Sequence, residues 1–139
     1  MAKLKDLVNV NINRDAIKIQ GVEIPVIFSM KAFPFVEEAY RKPYHVFERD
    51  LNKMMVQGSV KVGKNELRLM YALIYAMVRS GGTDTTPKEL ESSIPMSDIE
   101  GIFMTVLNIF NNQNFQEEDM EKLKQEKSKR RILTKAISI

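Results

Sequence analysis

Cysteine is absent from all 139 residues. Its absence removes disulfide frameworks, zinc-thiolate sites and thiol nucleophiles together, and fits a reducing compartment. Histidine occurs once, at His45. Without a second imidazole or a thiolate it cannot complete a typical transition-metal site, and beside Tyr44 it reads as a surface or packing residue rather than a general base. Long apolar runs are also missing. The nearly continuous run over residues 69–78 is about half of what a bilayer span needs. The opening MAKLKDLVNV lacks a secretory apolar core and cleavage site, so a cytosolic chain with no membrane association is expected. No Gly/Ser/Pro-rich linker divides the sequence, and its length suits one core. We therefore expect a single α+β domain over residues 1–125, followed by a basic tail over residues 126–139.

Charge is unevenly distributed. From Lys122 onward seven basic residues face only Glu126, a local +6 within an overall +3, so the rest of the chain is net acidic. Blocks of like charge can bind nucleic acid, which makes Lys127, Lys129, Arg130 and Arg131 a candidate basic contact. The stronger reading is dipole complementation, because Glu117, Glu118, Asp119 and Glu121 precede the bases along one predicted helix.

Residues 16–40, AIKIQGVEIPVIFSMKAFPFVEEAY, carry the clearest structural signal. Val22, Ile24, Val26 and Phe28 share one strand face, Ile17 and Ile19 supply its partner, and Gln20-Gly21 supplies positive φ for a tight connection. Val8, Val10 and Ile12 alternate with asparagines and could add a third strand, giving a hairpin or a three-stranded meander. Pro25 cannot donate to a ladder, so β-pairing there is limited to one side. A hairpin is marginal in water, so helices must cover it.

Five or six helices are expected: a mainly α, α+β fold with the sheet packed on a helical bundle. The pattern places them at residues 30–41, at 43–57 with an apolar face of Tyr44, Phe47, Leu51, Met54 and Met55, and at 64–80, where the apolar character surrounds the axis and predicts a central, buried helix. Thr86-Pro87-Lys88-Glu89 is a capping box ended by Ile94-Pro95. A helix opening at Pro95 or Ser97 carries Ile99, Ile102, Phe103, Val106, Ile109 and Phe110 on one stripe, and residues 111–114 are expected to break it before a charged helix from 115. Of the nine methionines, Met70, Met77 and Met104 are expected in the core. Met54 and Met55 sit where a flexible apolar surface could stay open for a helical partner.

Catalytic chemistry is hard to find. GSVKVGKN, residues 58–65, resembles a phosphate-binding loop. It lacks the magnesium-holding hydroxyl and the preceding buried strand, so Asn65 reads as a helix cap. Adjacent pairs such as Glu37-Glu38 point in different directions on a helix and cannot share a proton. No enzyme activity and no cofactor are expected.

The order of segments resembles the tail assembly chaperones of long-tailed bacteriophages: an AIKIQGVEIPVIFS hairpin, a helix, a central LMYALIYAMVRSGG helix, a TPKELESSIP helix start and a last apolar helix before a charged end. The resemblance covers residues 10–125. It implies a small non-enzymatic protein of the host cytoplasm, absent from the mature virion, that binds the tape-measure protein while tail-tube protein assembles around it. It also implies a longer form made by ribosomal frameshifting, diverging within the basic tail. The implied mechanism is apolar engagement of client helices by Phe33, Phe35, Tyr40, Tyr44, Phe47, Leu51, Met54 and Met55, drawing on about 25 cal/mol per Å² of buried surface before ordering costs. A second copy of the chain is a further candidate partner, and the alternatives are a structural virion component such as a tail or connector subunit, and a small nucleic-acid binder using the basic C-terminus.

Overall fold

The computed structural model describes residues 1–57 and 63–122. Its elements are α1 (Leu4–Leu7), β1 (Arg14–Ile19), β2 (Val22–Ile27), a 3-10 turn (Met30–Ala32), α2 (Phe33–Tyr40), α3 (Tyr44–Gln57), α4 (Lys64–Ser80), α5 (Pro87–Ser93), a second 3-10 turn (Met96–Asp98) and α6 (Ile99–Lys122). The fold is the expected α+β, mainly α arrangement, with an antiparallel hairpin at its N-terminal end.

Gln20 (φ 52°) and Gly21 (φ 83°) both adopt positive φ, the pattern of the primed turns that match strand twist. The turn sets the register Ile17 opposite Ile24 and Ala16 opposite Pro25. Phe28 N–H donates to Asn13 O at 2.9 Å, and the alternation of antiparallel pairs then makes Ala16/Pro25 a non-hydrogen-bonded pair. Proline is tolerated there because its missing N–H would have pointed away from β1. The inward face buries Ile17, Ile19, Val26 and Phe28 as the alternation predicts, while Ile24 is half-buried and Val22, next to the turn, is exposed.

The hairpin has no third strand among the described residues. Leu4–Leu7 forms a short helix instead, and a turn follows in which Asn11 N–H donates to Asn9 Oδ1 at 2.9 Å and Arg14 N–H to Asn11 O at 3.3 Å. Asparagine's short side chain competes for backbone hydrogen bonds and favours the turn over the strand.

Helix α4 is the centre of the domain. It packs against β2, α2, α3, α5 and α6 and buries Leu69, Met70 and every residue from 72 to 78, which is why its sequence is apolar on all sides. Its start differs from expectation. Gly63 is the N-cap, and its N–H donates to Glu66 Oε1 at 2.9 Å; Asn65 lies inside the first turn. Most of the phosphate-loop-like stretch, residues 58–62, lies outside the described residues.

The punctuation elsewhere follows the sequence. Ser29 Oγ accepts from Lys31 N–H at 3.3 Å, Thr86 Oγ1 accepts from Glu89 N–H at 3.1 Å, and Pro87 takes the first position of α5. Helix α2 ends on Arg41 in the left-handed region, φ 66°.

Helix α6 does not break at residues 111–114; it runs continuously to Lys122. The polar tetrad contains no Pro or Gly, and weak helix formers cost only up to about 0.7 kcal/mol each. Immediately before it, Phe110 meets Phe28 edge-on with ring centroids 5.2 Å apart, and Asn112 Nδ2 donates to Ile12 O at 3.4 Å. Met104 is 51% exposed rather than buried. One position past Phe103 rotates it about 100° off the buried stripe. The basic residues Lys127, Lys129, Arg130 and Arg131, the junction at 125/126 and the proposed tail lie outside the described residues.

Candidate protein interaction surface

The aromatic side chains of α2 and α3 follow two different fates. Tyr40, Phe47 and Leu51 are buried, with Phe47 and Leu51 fully inaccessible. They face α4 because helices of this length gain stability only by turning their apolar stripe inward. These three of the eight expected contact residues therefore offer no surface to a partner in the folded chain, which corrects the expectation of an open Tyr44/Phe47/Leu51 face. Phe33, Phe35, Tyr44, Met54 and Met55 are half-buried and packed against the core.

Among these five, Phe33 and Tyr44 stack at 3.8 Å with planes 11° apart. Phe33 leans on Phe28 at 6.1 Å, and Tyr44 on Phe47 at 5.9 Å. The stack is thus braced from below while its outer edge meets solvent. Burial and the nearby Glu48 carboxylate push the Tyr44 phenol up, keeping it neutral at physiological pH. Met30, three residues before Phe33, is 78% exposed, and Val56, directly after Met54 and Met55, is 86% exposed. Sequence periodicity missed Met30 because it sits in a 3-10 turn ahead of the helix, where the 3.6-residue spacing does not yet apply.

Two polar clusters hold this surface in place. The first joins α2 to α3 and α4. Tyr40 Oη donates to Asp50 Oδ2 at 2.6 Å, Arg68 Nη2 donates to Tyr40 O at 2.8 Å, and the Arg68 guanidinium lies over the Tyr40 ring at 5.0 Å. Tyr44 N–H donates to Glu37 Oε2 at 2.7 Å, so a carboxylate of α2 caps the positive end of α3.

In the second cluster, Arg79 Nη1 donates to Tyr75 Oη at 2.8 Å and to Thr85 O at 2.9 Å. Its guanidinium also covers the Phe35 ring at 4.6 Å. Phe35 consequently covers a part-buried arginine network, edge-on to Tyr75 at 6.4 Å, rather than serving as an open contact. Arginine suits this role because its planar fork can stack and donate at once.

The Tyr40–Asp50 bond ties stability to pH at both ends. Burial first, then the Asp50 hydrogen bond and charge, raise the Tyr40 phenol to about 12. The Tyr40 hydrogen bond first, then Arg49, lower the Asp50 carboxyl, against an opposing desolvation cost. A depressed carboxylate contributes stability above its unfolded value of about 3.9, and that stability disappears as pH falls through the folded value. A raised phenol contributes below about pH 10 and loses its contribution as pH rises to about 12. Tyr40→Phe is expected to remove about 1 kcal/mol at neutral pH and to flatten both flanks. Urea unfolding of the two proteins across acid, neutral and alkaline buffers checks it; equal differences at every pH would contradict the assignment.

His45 is exposed on the first turn of α3, and among the described residues no group of three or more His, Asp or Glu could hold a metal ion. Among the same residues, no helix is long and apolar enough to cross a membrane. Compared with known proteins, the chain matches no family model, no curated protein and no solved structure.

Proposed function

We propose that the chain is a phage tail assembly chaperone that binds the tape-measure protein non-covalently in the host cytoplasm, without enzymatic activity. The observation that carries this reading is the order of its segments, from the AIKIQGVEIPVIFS hairpin through the central LMYALIYAMVRSGG helix to the TPKELESSIP helix start. The client surface consists of the exposed rim of α2 and α3: Met30, the outer edges of Phe33 and Tyr44, and the Met54-Met55-Val56 turn. Thioethers and aromatic edges suit it, since they adapt to amphipathic helices of varied sequence.

Coexpression with a tape-measure protein from the same genome tests the reading. With the chain present the client is expected to stay soluble, and Met30→Asp combined with Val56→Asp is expected to return most of it to the insoluble fraction. Both side chains are exposed, so the variant keeps its fold and the loss reports on contact. Equal client solubility with and without the chain would remove the proposal. Finding the chain in purified particles would assign it to the virion instead.

A further inference from the structure

Two apolar surfaces of this chain lie open, one on a short protruding arm and one in a groove. The first is convex. Leu4 and Leu7 fall at i and i+3 of α1, where they share one side, and Val8 follows at its extended C-cap. They are 64%, 68% and 53% exposed, and α1 buries nothing.

The second is concave, a groove of about 340 Å³ between the tip of the hairpin and α5. Its apolar lining includes Ile19, Val22, Ile24, Val78 and Leu90. A Gln20 Nε2 donation to Ser93 O at 2.9 Å ties the hairpin tip to α5 beside it, and Val22 on its wall is 59% exposed.

Charge matches as well. Asp84 and Glu89 line the groove with no Lys or Arg among the lining residues, whereas the arm carries Lys3 and Lys5 against a single acid, Asp6. We infer that the groove receives residues 3–8 of a second copy of this chain, Leu4 and Leu7 entering it while Lys3 and Lys5 face Asp84 and Glu89.

The arm cannot fill its own groove. It leaves the domain at the open end of the hairpin, where the hydrogen-bonded turn of residues 9–14 and the Asn112 contact to Ile12 fix its exit. The groove lies at the opposite end, six strand residues away from Asn13, or about 20 Å at 3.3 Å per residue. Residues 4–7, held helical and closed by Val8 N–H to Leu4 O at 3.0 Å, span only about 6 Å at 1.5 Å per residue. Two copies remove the difficulty, because each arm can enter the other's groove about a two-fold axis and the contact is made twice.

This inference is independent of the client. It is tested by sedimentation of the full chain from micromolar to hundreds of micromolar concentration, alone, with the thermal midpoint of each variant as a control on folding. The wild type is expected to dimerise. Leu4→Asp with Leu7→Asp in the arm, and separately Val22→Asp in the groove, are each expected to raise the dimer Kd at least about tenfold.

Lys3→Glu with Lys5→Glu is expected to weaken the dimer about tenfold, Asp84→Lys alone to do the same, and the three together to bind more tightly than Lys3→Glu with Lys5→Glu without regaining the wild-type Kd, since the swapped Asp84 contact attracts again while Glu89 still repels. A chain that stays monomeric, or a dimer indifferent to these substitutions, would overturn the inference. So would a dimer lost with the arm variants but unmoved by Val22→Asp and Asp84→Lys, which would mean that the arms pair with one another.

Discussion

Gly81→Ala is expected to destabilise the domain by about 3 kcal/mol, the upper end of ordinary overpacking costs. The residue has φ −76° and ψ −5°, a conformation any L-residue adopts, so the penalty is steric and not torsional. A Cβ at this position would sit 2.8 Å from Pro25 C, 3.3 Å from Met77 O, and closer still to Pro25 O. Ordinary carbon–oxygen contacts begin near about 3.3 Å. Neither obstacle can rotate away, because both are backbone. The Pro25 carbonyl points out of the hairpin, since Ala16/Pro25 is a non-hydrogen-bonded pair, and it points at the end of α4. Relief requires β2 to move off α4, against which Val26 is buried.

The entropic gain of replacing a glycine, about 0.4–1 kcal/mol, is too small to offset this. Gly101→Ala is the control: it lies inside α6 with nothing within 4 Å of the added methyl, and it should stabilise by about 1 kcal/mol through helix propensity. Chemical denaturation of the pair, with opposite shifts in midpoint at an unchanged slope, checks the close approach of strand and helix. A Gly81→Ala protein as stable as wild type would mean that β2 and α4 do not meet there.

Much of this architecture was legible because it is written in short-range chemistry. The Gln20-Gly21 turn, the Thr86-Pro87 helix start and the all-round apolar α4 each follow from local steric or capping rules that tertiary context rarely overrides. What was not legible depends on the competition between near-equal alternatives. Residues 8–12 alternate like a strand, yet no strand among the described residues pairs with them, and without a partner the asparagines settle the segment as a turn. Residues 111–114 look like a break, but the packing of Phe110 and the absence of Pro or Gly let α6 continue.

The interaction surface was the least readable part. Periodicity identifies the apolar side of α3 but not whether that side faces a partner or the protein's own core. Only α4, arriving from another part of the chain, decides that Phe47 and Leu51 point inward.

That decision has a measurable consequence at Phe47. Phe47→Ala is expected to cost about 4 kcal/mol, within the usual range for truncating a buried phenylalanine, out of a total that for a domain of this size is about 5–15 kcal/mol. The ring is fully inaccessible. Tyr40 meets it edge-on at 5.3 Å and Tyr44 lies tilted against it at 5.9 Å, so truncation also removes aromatic contacts worth about 0.5–1.5 kcal/mol each beyond area burial. Tyr40 in turn carries the Asp50 hydrogen bond, and Tyr44 carries the stack with Phe33; loosening Phe47 therefore loosens the exposed rim above it.

A Phe47→Ala chain that fails to keep a client soluble would say nothing about contact, because the fold is impaired first. Met54→Asp, at a half-buried position on the rim, discriminates. If the rim is the client surface, Met54→Asp loses client solubilisation while keeping most of its own stability, whereas Phe47→Ala loses both together. Should Phe47→Ala unfold within about 1 kcal/mol of wild type, below the cost of any buried aromatic truncation, the inward placement of the α3 face would be wrong and the whole stripe from Tyr44 to Met55 would again be available to a partner.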